Sequence, residues 1–148
     1  MNNLDDVLQQ IRRIAQASRD FCAFAERTIA NGEVHTAFEY IGQVKDKLAR
    51  EMSGYVAPSA MVAAEASVSA ASSAEKVYRD LRAGVSAAGI SAATAKTLAA
   101  GEEQLVRLCE RAFELARTSD LKETLKAFYP QLVICREAML RLRARQAA

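Results

Sequence analysis

Histidine is nearly absent from this chain of 148 residues, with His35 the single copy. That scarcity removes most imidazole chemistry. A Ser/His/Asp or Cys/His nucleophile system has little to draw on. A di-iron centre of the ferritin type needs two Glu-x-x-His motifs, and the sequence contains none. Proline and glycine are also scarce, at two and six residues, which excludes collagen-like and Pro/Gly-rich disordered chains. A dominant charge sign is missing. Twenty basic and 18 acidic residues leave a net charge of +2, too balanced for electrostatic binding of nucleic acid or a membrane surface. No long apolar run is present. The uncharged stretch from Met52 to Ala64 holds 13 residues and includes Gly54 and Pro58, short of the roughly 20 needed to span a bilayer. The first residues carry neither a basic nor an apolar segment, so no signal peptide is expected. Cys22, Cys109 and Cys135 are odd in number, widely spaced and free of any C-x-x-C pattern. That argues against a disulfide framework and a thiolate metal site. They read as small core residues, and reduced thiols point to the cytoplasm.

What remains is helical periodicity from end to end, with no alternating apolar/polar run and therefore no strand expected. Helix one is predicted from Leu4 to Ala30, capped by Asn3 and stopped by a left-handed Asn31-Gly32. Its lines are Leu4, Val7, Ile11, Ile14, Ser18, Phe21, Ala25, Thr28 and, beside it, Leu8, Ala15, Cys22, Ile29. Helix two is predicted from Glu33 to Ser53, with Val34, Phe38, Ile41, Val44, Leu48 and Met52 inward. The short connection implies an antiparallel hairpin. Residues 57–100 hold 16 alanines and seven serines among 44. Alanine is the best helix former, so helix three is expected from Pro58 or Ser59 to Ala83. Its thin line is Met61, Ala64, Val68, Ala71 and Tyr78, with Glu75 in register, and Gly84 and Gly89 bracket a break. Helix four should run from Ser91 to Arg117 on Leu98, Leu105, Leu108, Ala112 and Leu115, with Gly101 a weak point. Helix five should start after Ser119 or Asp120 with a capping box to Glu123 and end near Arg145. Leu121, Leu125, Phe128, Leu132, Cys135, Met139 and Leu142 follow strict 4-3 spacing. Pro130 lies inside and should kink or split the helix. The terminal arginines Arg141, Arg143 and Arg145 complement the helix dipole. The expected fold is a single all-α domain over residues 1–148, an antiparallel four-helix bundle.

Two blocks carry a resemblance. One is Asn3 to Val56, with Arg19-Asp20-Phe21, Ala37-Phe38 and Ala49-Arg50-Glu51-Met52. The other runs from Leu108-Cys109-Glu110-Arg111-Ala112-Phe113-Glu114-Leu115-Ala116 through Gln131-Leu132 and Arg136-Glu137-Ala138-Met139 to Arg143. Together they resemble a family of small bacterial ferritin-like four-helix bundles of unknown function, leaving out the Ala/Ser-rich middle. The resemblance implies a ferritin-like fold. In the matching register, the positions that would present iron ligands are Ser18, Phe113 and Met139, none of them a credible ligand.

The inward faces offer little else. Only Glu75 and Glu102 fall in register with apolar lines, and two acids do not build a di-metal cage. His35 and Glu39 fall opposite the Val34–Phe38–Ile41 stripe, on the solvent side. The segment His35-Thr36-Ala37-Phe38-Glu39-Tyr40-Ile41-Gly42 shares its final glycine with phosphotransfer modules but lacks the lysine they carry after the histidine. No Gly-x-Gly-x-x-Gly, P-loop or Gly-x-Ser-x-Gly occurs. No catalytic, cofactor-binding or metal-ligating residue is therefore expected, and no cofactor. The sequence points to a non-enzymatic bundle that self-associates, as a dimer, or binds a protein partner, with no nucleic acid and no membrane span. The alternatives are a di-iron ferritin-like protein, an amphipathic coat protein or a phosphotransfer-type module.

Overall fold

The computed structural model describes residues 3–56 and 68–147. Helix α1 spans Leu4–Thr28, α2 Gly32–Tyr55, α3 Val68–Leu81, α4 Ala92–Leu115 and α5 Ser119–Ala147. Among the described residues the fold is all-α apart from one tiny hairpin, β1 (Val85–Ser86) and β2 (Gly89–Ile90), which follows a 3-10 turn at Arg82–Gly84. Its register pairs Val85 with Ile90 and Ser86 with Gly89. Gly89 adopts φ +143°, a conformation that L side chains rarely take and that closes the two-residue turn. The expectation of no strand is corrected here. Two residues per strand are too few for period-2 patterning to show.

The helix ends follow local chemistry, with some corrections. Asn3 caps α1 by accepting from the Asp6 N–H, and Ser91 caps α4 by accepting from the Thr94 N–H. Asn31 does not end α1 in a left-handed turn. It caps α2, its Oδ1 accepting from the Glu33 and Val34 N–H groups, while α1 stops at an extended Ile29. At α5 the cap is Thr118, whose hydroxyl accepts from the Leu121 N–H, and not Asp120. Thr118→Ala should therefore cost about 1 kcal/mol in urea titration and Asp120→Ala less. Pro130 does not split α5, which continues unbroken through it. The expected start of helix three at Pro58, with Met61 and Ala64, lies outside the described residues.

Side-chain contacts fix the helix directions. Helices α1 and α2 are antiparallel, since His35 meets Glu26 while Lys45 meets Ser18. Helices α4 and α5 are antiparallel, since Arg136 meets Glu103 and Tyr129 meets Glu110. Helix α5 also runs antiparallel to α2, because Tyr55 meets Thr124 near one end and Arg145 meets Glu33 near the other. Helix α1 packs on α4 as well, so the four helices touch in a ring. Helices α2 and α4 thus point the same way, and the chain must return the length of the assembly between them. Helix α3 lies on α1 and makes part of that return. Tyr78 packs against Phe21, and the Arg82 guanidinium stacks over Phe24. The β-turn then ties to the α1–α2 corner through the Ala30 N–H and the Ala87 carbonyl.

The predicted stripes form the core. Ile11, Phe21, Phe38, Ile41, Leu48, Met52, Leu105, Leu125, Leu132 and Met139 are all essentially buried. Gly101, a weak point by propensity, is needed for packing. A Cβ there would come within 2.5 Å of the Tyr78 hydroxyl.

Candidate functional site

The centre of the helix ring is polar. Lys45 of α2 is completely buried and its Nζ donates to both carboxylate oxygens of Glu102 on α4, at 2.5 and 2.7 Å. A third, longer contact of 3.5 Å runs to the Ser18 hydroxyl on α1. An ammonium has three donors, and here each has an acceptor. Cys22 of α1, Cys135 of α5 and Tyr78 of α3 surround the pair closely enough to feel its charges.

The electrostatics follow from burial and pairing. Burial is the largest single influence on Lys45 and would lower its pKa, but the Glu102 carboxylate, together with Cys135, Tyr78 and Cys22, outweighs it and holds the ammonium above the ordinary lysine range. Burial pushes the Cys22 thiol up to about 12 and the Cys109 and Cys135 thiols up to about 11. Tyr78 is raised by burial and then by Glu102. All three cysteines are free and buried. They are protonated at neutral pH, so none is an activated nucleophile.

Glu102 is where the sequence placed it, on an inward line. Lys45 was not anticipated, although its position carried a signal. Phe38, Ile41, Lys45, Leu48 and Met52 form an unbroken 3-4 series, as do Leu98, Glu102, Leu105, Cys109 and Ala112. The expectation for Glu75 is corrected. It is exposed and lines a cleft between α1 and α3 with Arg19, Arg79 and Arg82, because α3 turns Tyr78 inward instead. Of the three positions in ligand register, Ser18 and Met139 are buried, but Phe113 is 43% exposed and does not face the centre. No protein-family model matches the chain. No curated protein and no solved structure matches it either.

His35 is half-exposed, on the outer side of α2 as its spacing implied, but it does not project freely into solvent. It folds back against the end of α1, where its Nδ1 lies 3.0 Å from the Glu26 carbonyl oxygen. Its Nε2 lies 3.8 Å from Glu39 Oε2. A surface groove with an apolar lining is also present. It lies between α4 and α5 and is lined by Cys109, Phe113, Leu125 and Tyr129, with Glu110, Glu114 and Lys126 at its edges. Among the described residues no helix is long and apolar enough to cross a membrane.

Proposed function

We propose that this is a non-enzymatic, ferritin-like four-helix bundle without a central metal, acting through self-association as a dimer. Lys45 carries this reading. A ferritin-like di-metal centre requires carboxylates and imidazoles converging between the helices. Here the convergence point holds an ammonium bonded to both oxygens of Glu102, the one buried carboxylate among the described residues. A cation placed there would have to displace a buried positive charge. The ring of contacts, the parallel α2 and α4, and the long return between them are the features a ferritin-like connectivity requires, and they agree with the sequence resemblance.

The α4–α5 groove supports self-association. Phe113 and Tyr129 are large apolar side chains that remain exposed, and the edges carry both acids and a lysine. A two-fold contact places the same patch on both partners. It can therefore set Lys126 of one copy against Glu110 and Glu114 of the other. Sedimentation analysis should find a dimer for the unmodified chain and a monomer for Phe113→Glu. The melting temperature of the Phe113→Glu monomer should stay close to that of the unmodified protein when both are dilute. A chain that sediments as a monomer at every concentration would overturn the proposal.

A further inference from the structure

We propose a divalent transition-metal site, of the zinc class, at the outer corner where α1 meets α2, with Glu26, His35 and Glu39 as ligands. The side-chain ligand atoms of these three residues all lie within 4.8 Å of one another. They come from two helices. Glu26 sits in the last turns of α1, and His35 and Glu39 are four apart on α2, one above the other on the same face.

The orientation of the imidazole is the decisive feature. A carbonyl oxygen can only accept, so the 3.0 Å contact with Glu26 requires that His35 Nδ1 carry the proton. In the neutral ring this leaves the lone pair on Nε2, the atom that faces Glu39 at 3.8 Å. An Nδ1–H bonded to a backbone carbonyl is the outer-shell arrangement that fixes tautomer and aim in metal-ligating histidines. Glu26 would serve twice, with its carbonyl orienting the ring and its carboxylate completing the ligand set.

Charge and distance agree with this assignment. Among the described residues no lysine or arginine forms an ion pair with Glu26 or Glu39. Two carboxylates and a neutral imidazole match the charge of one divalent ion. Bonds of about 2.1 Å in a tetrahedral site put neighbouring ligand atoms roughly 3.4 Å apart. Small rotations of the two glutamate side chains close the remaining gap. Imidazole with carboxylate suits zinc and its neighbours, whereas magnesium and calcium favour all-oxygen sets. Three protein ligands leave one position for water. No metal-ligating residue is expected from the sequence, which puts His35 and Glu39 on the solvent side with no third ligand. The site departs from that expectation, because closure of the α1–α2 corner brings Glu26 to them. The alternative state is an imidazolium paired with Glu39, and it binds no cation.

The test is a titration of the full chain, cleared with chelator, with zinc chloride by calorimetry and by thermal melting. The unmodified protein should bind one zinc ion per chain and melt at a higher temperature with zinc than without. Magnesium should do neither. His35→Asn should abolish both effects. Glu26→Gln and Glu39→Gln should weaken binding at least about tenfold, the loss seen even for outer-shell partners. Far-UV circular dichroism in chelator should show all three variants folded, since none of the three residues is fully buried. Absence of saturable zinc binding by the unmodified chain would sink the assignment. So would undiminished binding by His35→Asn, which would place the zinc on other groups such as the buried thiols.

Discussion

Lys45→Met should destabilise the protein by about 3–5 kcal/mol. Removing one member of a buried ion pair leaves the other charge unpaired in a medium that solvates it poorly. Here the orphan would be Glu102, 2% exposed and surrounded by Cys22, Cys135 and Tyr78. Glu102→Leu should do similar damage by stranding the ammonium. The double variant Lys45→Met/Glu102→Leu is the informative one. Both charges are then replaced by apolar groups of similar size, and such exchanges are often neutral or stabilising. A double-mutant cycle by urea denaturation should therefore show strong coupling, with the double variant close to the unmodified protein and both single variants far below it. If each single variant loses less than about 1 kcal/mol, the pair is not buried as described.

Alkaline pH should unfold the protein. The sign follows from linkage. Cys22, Cys109, Cys135, Tyr78 and Lys45 all have folded pKa values raised above their ordinary ones. A raised value means that the folded state holds its proton more tightly than the unfolded state. The resulting stability is complete below the unfolded pKa and is lost as pH climbs through the folded one. For the thiols the window opens near their ordinary value of 9.0 and extends to about 11 or 12. Within it each thiol lowers stability by up to about 1.4 kcal/mol per pH unit. The urea midpoint should be flat through neutral pH and fall steeply above pH ~9. Replacing the three cysteines by alanine should flatten the alkaline limb, even if it lowers the neutral plateau by opening small cavities. A midpoint that stays level to pH ~11 would contradict the burial of the thiols.

The sequence showed the helices plainly, because apolar spacing over four long segments is a strong and redundant signal. It also showed Glu102, a lone acid on an apolar line. Lys45 stood on an equally regular line and was passed over, because lysine is almost never fully buried without a partner. Its partner lies 57 residues away on another helix. Glu75 misled for a different reason: an alanine-rich helix offers several plausible stripes, and only tertiary contact selects among them. Phe113 enters the ligand register through the resemblance alone, since the spacing of α4 runs through Leu105, Leu108 and Ala112 and leaves it out. The corner formed by Glu26, His35 and Glu39 was out of reach. Two of its members share a helix face, but the third arrives only when the α1–α2 hairpin closes.

The helix directions bear on how the chain gets folded. Helices α1 and α2 are joined by three residues, Ile29–Asn31, and α4 and α5 by another three, Ala116–Thr118. Each hairpin can form from nearby residues, at small loop-closure entropy, and local contacts of this kind favour fast folding. Neither hairpin holds both members of the central pair. Lys45 belongs to the first and Glu102 to the second. Until the hairpins meet, each charge stays in water, and both lose that water in the same docking event. Docking is then the step at which the largest barrier is expected, and substitutions at these two positions should act on its rate, while those within either hairpin act mainly before it.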